Sequence, residues 1–307
     1  MNKKLIIGLL TLSMAFPVAA HAAQLPTQPA SIAILDTAID DTLPIFKDKI
    51  IDEVCMVDWT SCPNGKSFME GPGAATMPAN LINLNGFDHG TQMTSVLVTN
   101  NPNIKIVFIK IIGNTATGQR QIAFESAVFN ALNWVAANKD KFNIQAVTMA
   151  QGHHNLLTGV NYCPSTPKTQ TAVKNLAALG IPTFFPAGNG RDYQRLDWPA
   201  CLPESISVGA VDQQNEIAAY SNNDAVLLDL FALGSMPVVS PGNVIKNVAG
   251  TSAAIQVAAA QWVAIKQAKP NLTYSSELAL LSSTAINTVG RQGTFKKLIS
   301  LQGALNG

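Results

Sequence analysis

Five short aliphatic runs punctuate the chain: Ser31-Ile32-Ala33-Ile34-Leu35, then residues 105–112, 144–149, 181–186 and 206–211. Runs this short and this continuously apolar suit strands buried on both faces, the condition found inside a parallel sheet. Parallel neighbours must be joined by long crossovers, and the segments between the runs carry helical spacing. Ala123, Ala127, Val128, Ala131, Leu132 and Val135 recur at three- and four-residue intervals and lay one apolar stripe along a helix. A second helix is expected over about 168–179, stopping at Gly180 with Pro182 just beyond. The fold class is therefore α/β, a mainly parallel central sheet flanked by helices, in one globular domain. Residues 52–85, with Gly71-Pro72-Gly73, show neither period and read as a surface insertion clipped by cysteines.

Lys and Arg number 20 against 19 Asp and Glu, and no basic run is interleaved with aromatics, so the electrostatic footprint of a nucleic-acid binder is missing. At the N-terminus, Met1-Asn2-Lys3-Lys4 is basic, Leu5 begins an apolar stretch that Pro17 interrupts, and Ala20-His21-Ala22 has the small-residue pattern of a cleavage site. These features predict a signal peptide over residues 1–22 and a mature chain of residues 23–307 without a membrane span. Export follows, to a periplasm or beyond the cell. In an oxidising compartment Cys55, Cys62, Cys163 and Cys201 read as disulfides, in any of three pairings. A zinc site is the weaker reading, since there is no CxxC pair and His153-His154 is not spaced as a ligand arm.

Four short motifs carry candidate chemistry. Asp36 closes the first aliphatic run, at the carboxyl edge where α/β enzymes place functional groups, although an Asp there also serves as a turn former. His89 opens a helical pattern, and Gly90 beside it permits close approach of another segment. Asn189 ends the run Thr183-Phe184-Phe185-Pro186-Ala187-Gly188 as a neutral amide that either closes a turn or donates to developing negative charge. Ser252 precedes the most alanine-rich stretch and is either a helix cap or a nucleophile. A nucleophile needs a base, an orienting acid and an oxyanion donor, and the other three motifs offer one each.

Together, Asp36-Thr37, His89-Gly90-Thr91, Ala187-Gly188-Asn189 and Gly250-Thr251-Ser252 resemble the signatures of subtilisin-like serine proteases. They follow that family's order, at intervals of 53, 100 and 63 residues. The likeness spans essentially the whole mature chain: residues 146–152 resemble the family's substrate-binding strand, 198–203 its pocket floor, and 207–212, 219–222 and 298–304 also fit. The resemblance implies a subtilisin-like three-layer fold and a monomeric, exported serine endopeptidase acting on protein or peptide substrates. It assigns Asp36, His89 and Ser252 to the catalytic triad, Asn189 to the oxyanion hole, and Ala150, Gln151, Gly152 and Gly188 to substrate binding. No cofactor enters such chemistry. A structural calcium stays undecided, because Asn100-Asn101-Pro102-Asn103 is shorter than the loop that usually follows the family's His helix. Disulfides are expected at Cys55–Cys62, a short local loop, and at Cys163–Cys201, which would tie the segment after the substrate strand to the pocket floor.

Three positions depart from the family pattern. Ala38 stands where Gly is usual, Gln92 where a second His is common, and Ala253-Ala254-Ile255-Gln256 where the family has Met-Ala-Ala-Pro-His. The last lies directly behind the nucleophile and could rotate its helix, so the alternative reading is a weak or inactive relative that binds peptides without cutting them. An ester hydrolase is disfavoured by the lack of a Gly-x-Ser-x-Gly elbow. Cleavage after Ala22 leaves 13 residues before Asp36, which predicts no separate pro-domain and autonomous folding.

Overall fold

A computed structural model describes residues 29–121, 125–153, 163, 166–291 and 293–307. The expected signal peptide of residues 1–22, with its cleavage site, and Ala123 of the helical stripe lie outside the described residues. The strands in chain order are β1 (Ser31–Asp36), β2 (Ile50–Met56), β3 (Phe68–Glu70), β4 (Lys105–Lys110), β5 (Gly113–Asn114), β6 (Arg120–Gln121) and β7 (Ile144–Met149). They continue as β8 (Thr183–Pro186), β9 (Ile206–Val211), β10 (Leu230–Leu233), β11 (Ser235–Ser240), β12 (Val244–Ala249), β13 (Ile286–Gly290) and β14 (Gly293–Leu298). The helices are α1 (His89–Asn100), α2 (Glu125–Asn138), α3 (Pro167–Ala178), α4 (Thr251–Ala268), α5 (Tyr274–Thr284) and α6 (Leu301–Asn306).

Ten strands form one sheet in the order β13-β14-β10-β9-β8-β7-β1-β4-β2-β3. It is parallel from β2 to β14, with β3 and β13 added antiparallel at its two edges. Every residue of β1 is buried, and its alternation divides the core in two. Ile32 and Ile34 pack with Met93, Val96 and Leu97 of α1 and with Ile255 and Ala258 of α4. Ala33 and Leu35 belong to the opposite layer, with Val128 and Leu132 of α2 and Val173 and Leu176 of α3. The expected α/β architecture of helix, sheet and helix layers is thus present. The alanine-rich sequence of α4 makes the inner layer possible: Ala253, Ala254, Ala258, Ala259 and Ala260 are all buried, so the helix lies close against the sheet.

The chain builds β4 and β2 on one side of β1, then β7 to β10 on the other. A crevice opens beyond the carboxyl ends of the strands where the winding reverses in this way, and Asp36 is the last residue of β1. One expectation needs correcting. The stretch read as an irregular insertion from Asp52 onward contains most of β2, which pairs with β4, and all of β3. Its strand character was hidden by two acidic residues: Asp52 sits at an irregularity in the pairing, and the oxygens of buried Glu53 accept hydrogen bonds from Gly73 N and Ala75 N. Both expected disulfides are formed, Cys55–Cys62 and Cys163–Cys201, across sequence separations of 7 and 38. Loop-closure entropy assigns them about 2 and about 4 kcal/mol of stabilisation, the longer loop contributing more.

Candidate active site

Asp36 shares the face of Ile32 and Ile34, so its side chain points toward α1 and α4. Two threonines clip the first turn of α1 to the end of β1. Thr37 Oγ1 donates to Phe87 O at 2.9 Å and accepts from Gly90 N at 3.0 Å, and Thr91 Oγ1 accepts from Asp40 N at 3.0 Å. Gly90 is the point of closest approach, where a Cβ would stand 2.4 Å from Ala38 O. This packing brings His89 Nδ1 to 2.9 and 3.0 Å from the two carboxylate oxygens of Asp36. Asp36 is fully buried, whereas the His89 side chain keeps 26% of its surface in solvent. Burial pulls the His89 pKa down, but the Asp36 charge and hydrogen bond, helped by Asp88 and opposed by Arg120, outweigh it and leave the pKa raised.

Ser252 lies in the first turn of α4, half-buried, with its Oγ donating to Ala150 O at 3.3 Å. Among the described residues no hydrogen bond joins Ser252 to His89. Asn189 approaches the same helix start: its Oδ1 accepts from both Thr251 N and Thr251 Oγ1 at 3.0 Å. Two donors on the oxygen fix the orientation of the amide, so Nδ2 faces outward, exposed and without a partner among the described residues. The Ser252 N–H is one of the amide groups that a helix start leaves unsatisfied. Asn189 Nδ2 and Ser252 N–H therefore offer two donors and the positive helix end to one anionic oxygen.

The other expected site residues fall into two groups. Ala150, Gln151 and Gly152 continue from β7: Ala150 supplies the carbonyl that Ser252 touches, Gln151 and Gly152 line a cavity, and a Cβ on Gly152 would meet Trp198 O at 2.5 Å. Gly188 is buried behind Asn189 at φ +112°, where a Cβ would strike Asp197 and Asn222. It shapes the amide loop from behind.

Gln151 does more than its sequence suggested. Its Nε2 donates to Asp36 Oδ1 at 2.9 Å, and its Oε1 accepts from Arg120 Nη2 at 2.5 Å. Sequence reading missed Arg120, which lies on a two-residue strand with no periodicity to betray it. It also passed over the role of Asn222, whose Oδ1 takes the N–H groups of Gly190 and Asp192 at 2.9 Å and so holds the Asn189 loop. The usable signal there was a polar residue in the motif Ala219-Tyr220-Ser221-Asn222.

Two departures acquire physical accounts. Gln92 donates to Asp88 Oδ2 and Ser240 Oγ at 2.7 Å each, docking α1 onto the β11–β12 hairpin where the family often has histidine. Gln256 is fully buried behind Ser252 and accepts from Thr148 Oγ1 of β7 at 3.0 Å, while α4 runs unbroken from Thr251. The altered segment thus leaves Ser252 at the helix start.

The subtilase family model matches residues 27–304. The "Major intracellular serine protease" of Bacillus subtilis (strain 168) is 25% identical over 216 residues, which cover 66% of this chain and 57% of that protein. Subtilisin DY of Bacillus licheniformis is 26% identical over 245 residues, 76% of this chain and 82% of that one. The first relatives are only partly spanned: besides that 57%, the matches take in 38% of a cuticle-degrading serine protease of Arthrobotrys oligospora and 54% of an alkaline elastase of a Bacillus species. Among solved structures, a protease from Pseudoalteromonas arctica superposes with TM-score 0.70 at 21% identity, covering 91% of this chain and 90% of that one. A cold-adapted subtilisin-like serine proteinase gives 0.65 at 19% identity, with 90% of each chain covered. With the family pattern running through nearly all of its described length and the fold shared with these structures, the chain belongs to the subtilase family.

Proposed function

We propose that the protein is an exported serine endopeptidase in which Ser252 is the nucleophile, His89 the general base, Asp36 the orienting acid and Asn189 the oxyanion donor. The observation that carries this reading is Asn189: both Thr251 donors grip its oxygen, leaving a bare N–H pair aimed outward beside the Ser252 N–H, which the fold itself does not need. An extended substrate pairs with the backbone edge at Ala150, Gln151 and Gly152. Ser252 Oγ leaves Ala150 O, gives its proton to His89 Nε2 and bonds to the scissile carbonyl carbon, whose electron pair moves onto the oxygen held by Asn189 and Ser252 N–H. Asp36 keeps the Nδ1 proton in place and balances the imidazolium. His89 then protonates the leaving amine, and a water repeats the sequence to release the acyl group. This chemistry requires no cofactor.

The Ser252 bond to Ala150 favours a second reading, a relative that binds peptides without cutting them. A fluorophosphonate probe and casein separate the two: labelling with casein cleavage supports the peptidase, and peptide binding with neither supports the alternative.

The raised His89 pKa gives this mechanism a pH signature. The base must be neutral, so kcat/KM is expected to fall as pH drops through a midpoint above the ordinary 6.5. The linked contribution to stability runs the other way: protonated His89 favours the folded state below 6.5, and that contribution is lost as pH rises through the folded-state pKa. An acid limb below 6.5 would show that Asp36 does not raise the His89 pKa, and a rate without any acid limb would detach His89 from the role of base. Replacing Asn189 with alanine is expected to lower turnover about 10²- to 10³-fold with KM nearly unchanged, the range known for the corresponding donor in subtilisin. A change confined to KM would move Asn189 out of the oxyanion hole.

A further inference from the structure

We infer that the cavity beside the Gln151 segment selects a substrate side chain bearing a carboxylate, and that Arg120 is the residue that reads it. The inference rests on the peptidase reading above and adds a substrate class to it. The cavity holds about 600 Å³, room for a large side chain. Ile111, Ile112, Val128, Met149 and Trp198 give it an apolar wall, Asn85, Gln119 and His153 add polar groups, and Arg120 brings a guanidinium charge. Gln151 and Gly152 also line it, so an occupant belongs to the same extended peptide that presents its carbonyl to Ser252.

Among the described residues the Arg120 guanidinium keeps donors to spare. Its one hydrogen bond among the described residues goes to the neutral amide oxygen of Gln151, and it forms no ion pair there with any carboxylate. Asp36 already receives Thr37 N, His89 Nδ1 and Gln151 Nε2, and Arg120 reaches it only through Gln151. Arg120 is exposed and lines the cavity, so the donors that Gln151 does not take are open to an incoming group. A guanidinium offers five donors in a planar fork that fits a carboxylate in two parallel bonds. An acidic side chain entering along the apolar wall supplies the missing partner. A neutral glutamine of the same shape leaves the cation unpaired.

The test uses the full chain and end-capped fluorogenic peptides, so that side chains are their only carboxylates. In an otherwise neutral sequence a single Glu is walked through each position and compared with Gln at the same place. The expected result is one position at which Glu raises kcat/KM about tenfold or more over Gln, chiefly through KM. Arg120→Gln is expected to bring that ratio to about one, and Arg120→Glu to transfer the preference to Lys at the same position. Equal rates for Glu and Gln at every position, or a Glu preference that survives in Arg120→Gln, would overturn the inference. The same peptides, fluorescently labelled, are also titrated against Ser252→Ala, where the Glu-to-Gln ratio of Kd reads selection without catalysis. A chain that selects Glu in this binding assay but cuts nothing keeps the Arg120 inference and loses the peptidase reading; one that cuts indifferently does the reverse.

Discussion

Replacing Ser252 with alanine is expected to remove fluorophosphonate labelling and to lower peptide turnover by about six orders of magnitude, while thermal unfolding stays within about 0.5 kcal/mol of the parent. The size of the catalytic loss is that known for subtilisin when its nucleophile is removed, and it is the loss to expect of the nucleophile proposed above. The small structural cost comes from the site itself. Ser252 is only half-buried, its hydroxyl makes one long bond to Ala150 O, and the side-chain cap position of α4 is occupied by Gly250. Alanine is the best helix former, and the next two residues are already Ala253 and Ala254. A variant that folds normally and still takes the probe would place the nucleophile elsewhere.

The second large effect is expected at Asp36. An Asp36→Asn change preserves size and leaves His89 beside it, yet turnover is expected to fall about 10⁴-fold, as it does when the orienting acid of a serine protease triad is amidated. The carboxylate accepts three donors: Thr37 N at 2.7 Å, Gln151 Nε2 at 2.9 Å and His89 Nδ1 at 2.9 Å. An amide has one acceptor oxygen and an NH2 group, so at least one of these donors then faces another donor. The cheapest escape is for His89 to move its proton to Nε2, which leaves no lone pair there to receive the serine proton. Unlike the serine variant, this one is expected to lose stability as well, by about 1–3 kcal/mol, because a buried polar group loses its partner. Turnover measured beside thermal unfolding separates the two cases; a loss of activity below tenfold would show that Asp36 does not set the tautomer.

The central strands were legible because each is buried on both faces and therefore apolar without interruption. β1, β7 and β9 come out close to their expected bounds, and the sheet face of Asp36 follows from counting alternate residues along β1. The four site motifs were legible for a different reason: each combines a reactive side chain with a small neighbour that the packing requires, as Gly90 shows against Ala38 O. What stayed hidden depends on one side chain meeting another from a distant loop. Gln151 sits in the expected segment, but nothing in its local sequence says that its amide turns back onto Asp36, 115 residues earlier. Arg120 lies in a turn-rich stretch whose conformation is set by tertiary contacts rather than propensity. β2 escaped because a strand near a sheet edge tolerates the acidic pair Asp52-Glu53, which breaks the apolar run.

On the mechanism proposed above, the winding order of the sheet also governs when, during folding, cutting becomes possible. β1 and α1 can meet early in synthesis and carry Asp36 and His89 with them, a base and its acid with nothing to activate. Ser252 is 216 residues from Asp36 in the chain, on a helix that packs against β7, β8, β9 and β10. Closing contacts over such separations is slow, so the nucleophile is seated only after most of the sheet exists. If the proposed triad cuts peptides, half-finished molecules are abundant unfolded chain, the easiest prey for a protease, while none of them is yet able to attack it.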